Sequence, residues 1–85
     1  MKYVAIIGKT GNGYAAHLPD LPGCIAAADT FEETRNLIEE AANFHVEGML
    51  EDGETIPEPL NAAVEVEVTV PTIHPAQQAA VETGG

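Results

Sequence analysis

The chain has 85 residues, enough for one small domain and too few for a second. Fourteen acidic residues stand against three bases, Lys2, Lys9 and Arg35, for a formal charge of −11. That balance argues against direct nucleic-acid binding, which needs Lys and Arg to neutralise phosphates.

It favours solubility and rapid encounter with a basic partner instead. A core of this size is marginal, so help from self-association or from a partner is expected. The single cysteine, Cys24, cannot form an internal disulfide. Only a short apolar run, Tyr3–Ile7, precedes Gly8, which is no secretory leader, and no stretch approaches the ~20 apolar residues of a membrane span. A soluble, cytoplasmic protein is expected.

In chain order, "KYVAIIG" predicts a first strand over about residues 2–8. Both of its faces are apolar, as in a central strand covered on both sides. Asn12-Gly13 predicts a hairpin, because both residues tolerate positive φ, and "YAAHL" a second strand near 13–18. In "LPDLPGCIAA", Pro19 and Pro22 fix φ and cannot donate ladder hydrogen bonds, so a regular strand stops there. A short third strand follows near 23–28.

The next stretch, from Asp29 to Gly53, predicts a helix. Thr30 and Glu33 have capping-box spacing, and Gly53 is a natural stop. At 100° per residue one arc collects Phe31, Thr34, Leu37, Ile38, Ala41, Ala42, Phe44, His45, Gly48 and Met49. The opposite arc collects Glu32, Glu33, Asn36, Glu39, Glu40, Asn43 and Glu47. After a proline-containing loop, residues 63–70 alternate valines with Glu65, Glu67 and Thr69, which predicts a half-exposed edge strand. Residues 71–85 have no sustained period and predict a mobile tail.

The expected class is therefore α+β, in the order β-β-β-α-β, with one helix packed on a four-stranded sheet. One helix shields one face only. The other face should be covered by a second copy or by a partner.

The chemistry-bearing residues form no recognised pattern. His17, Cys24, His45 and His74 match no metal-ligand spacing, so neither metal nor cofactor is expected. Cys24 with His17 would make a nucleophile and base, but a small apolar cysteine filling a strand explains Cys24 as well. Asp20, Asp29 and Glu65 are not a persuasive two-metal set. An enzyme is not expected. The acidic helical arc is by default a solvated face, yet its like charges repel one another slightly, and a basic partner would relieve them.

Taken together, "GYAAHLPDLPGC", "ADTFEET" and "FHVEGMLEDGETIPEP" resemble the HicB-type antitoxin family over about residues 3–70. Ala28 stands where the family pattern often has glycine, and Thr34 where it often has alanine; neither change disturbs the fold. The resemblance implies a degenerate, ribonuclease-H-like β-β-β-α-β domain over residues 1–70 without a working nuclease site. It implies a partner as well: a small, basic, HicA-like toxin that cleaves mRNA and is neutralised by occlusion. Many members carry a C-terminal DNA-binding segment. Residues 71–85 contain no base, so no such segment is expected here.

On this reading Pro19, Pro22 and Gly23 form a rigid connector. Asp20 and Leu21 from that loop, with Glu32, Glu39, Glu40 and Glu47 from the helix, are the expected partner-binding residues. The chain is expected to form a dimer or tetramer. Two alternatives stay open: a stand-alone oligomeric binding or regulatory module, and a small hydrolase using Asp20, Cys24 or His17.

Overall fold

The computed structural model describes residues 1–72. The tail expected over 71–85, and His74 with it, lies almost wholly outside them. Three antiparallel strands, β1 (Ile6–Lys9), β2 (Tyr14–His17) and β3 (Ile25–Ala28), precede a single helix, α1 (Phe31–Glu51). The strand order is β1-β2-β3. Ile6 pairs with His17, which pairs with Ile25; Ile7 pairs with Ala16, which pairs with Ala26. The class is α+β, as expected.

Two expectations are corrected. Among the described residues the sheet has three strands, so β2 is central and β1 an edge. Residues 63–70 form no strand, and Val64, Val66, Val68 and Val70 are each at least 73% exposed. Alternation gives a segment the capacity to be half-buried, but a strand also needs a neighbouring edge to pair with. Residues 63–70 pair with neither edge of this sheet.

The β1–β2 hairpin forms where it was expected, by a different mechanism. The loop is four residues, Thr10–Gly13, closed by a hydrogen bond from the Thr10 N–H to the Gly13 carbonyl at 2.8 Å. Neither Asn12 nor Gly13 has a positive φ. Gly13 is needed for space: a Cβ there would lie 2.4 Å from the carbonyl oxygen of Ala28. Gly13→Ala is therefore expected to push β3 off the hairpin and cost about 2 kcal/mol by overpacking. Urea denaturation with an unchanged m-value would check it.

Helix α1 starts and stops where its caps dictate. Thr30 is extended at φ −120°, and its hydroxyl accepts from the Glu33 N–H at 3.1 Å. The same hydroxyl donates to the Glu33 carboxylate at 2.9 Å, so the reciprocal half of the box runs side chain to side chain. At the other end Gly53 has φ +72°. Its N–H donates to the Leu50 carbonyl at 3.1 Å, and the Glu54 N–H to the Met49 carbonyl at 2.9 Å. These two bonds are the Schellman closure that a left-handed glycine permits.

The core lies between α1 and one face of the sheet. Its buried apolar residues are Ala16, Leu18, Leu21, Cys24 and Ile38, with Ile7, Ala26, Val46 and Met49 packed around them. Three of those five come from the connector. Leu18, Leu21 and Cys24 recur every third residue because two turns follow one another: the Leu21 N–H donates to the Leu18 carbonyl, and the Cys24 N–H to the Leu21 carbonyl. Pro22 and Gly23, with φ +86°, occupy the central positions a type II turn favours. The loop is the centre of the core as much as a connector.

Candidate partner-binding surface

The exposed face of α1 is the largest charged feature of the described residues. Glu32, Glu39, Glu40 and Glu47 all point to solvent, as expected from their arc. Glu32 and Glu33 sit in the first turn, where the helix dipole favours acids, but no base occupies the last turn, which ends in Glu51 and Asp52. Glu51 and Asp52 thus stand against the dipole of their own helix. Within α1 the only ion pair is Arg35 to Glu39, 3.7 Å apart with both side chains more than half exposed, and worth little.

The apolar arc needs correcting in three places. Thr34 and Ile38 are buried and His45 is half-buried, but Phe44 is 78% exposed, Phe31 52% and Leu37 40%. Phe44 lies about 100° round the helix from its neighbour His45. A sheet built from alanines touches only a narrow stripe of α1, so the outer members of a wide arc are left in water. Leu37 and Phe44 stand on the same ridge as Glu33, Glu40, Glu47 and Glu51, at three- and four-residue spacing. An aromatic ring flanked by two acids, Glu40 and Glu47, can attract a basic surface and seat in an apolar pocket on it.

The two loop residues have other work. Leu21 is fully buried, with no exposed surface. Asp20 is a clamp: its carboxylate accepts from the Leu60 N–H at 3.0 Å, the Asn61 N–H at 2.9 Å and the Asn61 side-chain amide at 2.7 Å. Tyr3 donates its hydroxyl to the Pro57 carbonyl. The segment after α1 is thereby tied back across the domain.

Hydrogen bonds from Asn61 and Leu60 hold the Asp20 carboxyl below its ordinary value, against a smaller opposing effect of desolvation. A depressed carboxylate contributes its stability above the unfolded value, near 3.9, and loses it as pH falls through the lower folded value. The clamp should therefore hold at neutral pH and release only below about pH 4. An NMR titration of the Leu60 and Asn61 amides would follow it. Asp20→Asn should leave those amides pH-independent over the same window.

The nucleophile alternative gains no support from its surroundings. Cys24 is 3% exposed, and burial pushes its thiol up, away from the thiolate a nucleophile needs. Asp20, Asp29 and Glu65 form no cluster, and no group of three potential metal ligands exists among the described residues. No helix of the described residues is long and apolar enough to cross a membrane.

Fold and surface together define a small α+β domain whose exposed helix face is acidic, with an exposed aromatic, Phe44, at its border. The chain belongs to the HicB-like antitoxin family of bacterial toxin-antitoxin systems, whose pattern it matches over residues 3–81. A chain of a solved HicA3 and HicB3 toxin-antitoxin complex is similar in structure, with a TM-score of 0.62 and 33% sequence identity. The similarity covers 71% of this chain and 70% of that one. An uncharacterised 14.9 kDa protein from the rep-hol intergenic region of Haemophilus phage HP1 is 47% identical over 57 residues. That match takes in 67% of this chain and 43% of the phage protein's length.

Proposed function

We propose that this protein is an antitoxin that binds a small, basic, HicA-like mRNA-cleaving toxin in the cytoplasm and neutralises it by occlusion. The observation that carries the reading is the acidic ridge of α1 with Phe44 exposed within it. Glu32, Glu39, Glu40 and Glu47 would steer the toxin's basic RNA-binding surface, and Phe44 would anchor it. Asp20 takes an indirect part, by holding the segment after α1, and Leu21 supports the surface from within the core. The binding unit is the domain of residues 1–70. It acts without catalysis of its own and without direct nucleic-acid contact, which the charge of −11 disfavours. Family membership and the resemblance to a chain of a toxin-antitoxin complex support this reading.

The test is titration of the purified protein into a HicA-like ribonuclease while RNA cleavage is followed, at low and at high salt. Stoichiometric inhibition that weakens as salt rises is the expected result. Full cleavage at saturating antitoxin would sink the proposal. A second reading, a stand-alone oligomeric module, is favoured by the uncovered outer face of the sheet, where Ile6 is 48% and Ile25 72% exposed. Absence of any toxin-directed inhibition together with stable self-association would move that reading ahead.

A further inference from the structure

The open edge of β3 lacks the features that keep strands from pairing. Among the described residues β3 pairs only with β2, so its other side is free. The Leu18 N–H donates to the Cys24 carbonyl, and hydrogen-bonded pairs alternate along an antiparallel ladder. Ala26 and Ala28 therefore turn their backbone groups to β2, and Ile25 and Ala27 turn theirs to the open side. Soluble proteins blunt such an edge with a charge, a proline or a bulge. β3 reads Ile-Ala-Ala-Ala in unbroken register and carries none of these.

Helix α1 overhangs the same edge. One of its flanks, with Arg35, Ile38, Ala42 and Val46, lines a groove together with Tyr3 and Ala5, on the β1 side. His45 turns the other way, toward the start of β3: a Cβ on Gly23 would lie 3.7 Å from its Cε1. Ala41, Leu37 and Phe44 follow further round in that second direction, so they project past β3. Leu37 and Phe44 are exposed there. A strand added at the usual spacing of about 4.8 Å would run beneath them and cover them.

The charges select what that strand belongs to. Glu33, Glu40 and Glu47 stand exposed beside Leu37 and Phe44. A second copy, joined edge to edge about a two-fold axis, would set two α1 flanks side by side with their glutamates opposed. A basic protein would bring Lys or Arg to the same place.

We infer that the partner adds an edge strand to β3, with apolar side chains under Leu37 and Phe44 and basic groups against Glu33, Glu40 and Glu47. Backbone hydrogen bonds at Ile25 and Ala27 supply affinity, and the acidic flank supplies the choice of partner. This inference rests on the antitoxin reading and names the element of the toxin that docks.

The experiment mixes the full chain with a purified HicA-like ribonuclease and follows amide hydrogen exchange residue by residue, free and bound. The Ile25 and Ala27 amides should exchange at least about tenfold more slowly in the complex. Ala27→Pro removes an N–H on the open side only and spares the bonds to β2; it should weaken Kd at least about tenfold. The wild-type exchange data decide the matter even if that variant misfolds. A toxin that is bound and inhibited while both amides exchange as in the free protein would overturn the inference and leave the antitoxin reading standing. No binding at all would overturn both. Slow exchange of the two amides without toxin, in a protein that sediments as a dimer, would overturn it by giving the edge to a second copy.

Discussion

Leu21→Ala should cost about 3 kcal/mol of stability, the largest loss expected from any single truncation in this protein. Leu21 is fully buried and packs with Leu18, Cys24 and Ile38. Removing its side chain loses the transfer free energy and leaves a cavity that Pro19 and Pro22 hinder from collapsing, because both fix the backbone on either side. For a domain of this length the loss is a large part of the whole stability and corresponds to a fall in Tm of roughly 15 °C. Thermal unfolding checks it. Leu21→Met keeps most of the volume and should cost less than about 1.5 kcal/mol. A truncation that cost under about 1 kcal/mol would show that the loop yields, and would remove the connector from the core.

Phe44→Ala is the second large effect, and it should fall on binding alone. The ring is 78% exposed, so its loss should change stability by less than about 0.5 kcal/mol. If Phe44 anchors the toxin, truncation should weaken the complex by about 2 kcal/mol, roughly thirtyfold in Kd. Glu40→Lys with Glu47→Lys should act differently, slowing association and flattening the salt dependence while leaving dissociation less affected. Surface plasmon resonance against the toxin separates the two. An unchanged Kd for Phe44→Ala would remove the anchor from the proposed surface, and the glutamates would then stand alone as a steering field.

Several features were legible before any coordinates because they depend on neighbours a few residues apart. The helix is one: Thr30 and Glu33 meet within a single turn, and Gly53 supplies the left-handed residue that its closure needs. The acidic arc is another, since 3.6 residues per turn decide which glutamates share a side whatever lies opposite. The short strands followed from the prolines that stop them and from β-rich runs bounded by glycine. The motifs that resemble the HicB family were likewise local, and family membership bore that resemblance out.

What lay beyond the sequence depended on contacts far apart along the chain. Leu21 looked like a loop residue beside an acid. Only the stacking of two turns under α1 puts it at the centre of the core, although the every-third-residue spacing of Leu18, Leu21 and Cys24 was a signal available for reading. Asp20 became a clamp because Leu60 and Asn61 arrive beside it from forty residues away. Gly13 mattered for its distance from Ala28 and not for its φ. Phe44 satisfied the periodicity of a buried arc, but a sheet of small side chains covers less of a helix than the arc is wide. The valines of residues 63–70 show the same division from the other side. Alternation determined that they can make a strand, because successive side chains in a strand point to opposite faces. Whether they make one rests on a partner edge, which only the packing of the whole chain can bring within hydrogen-bonding reach.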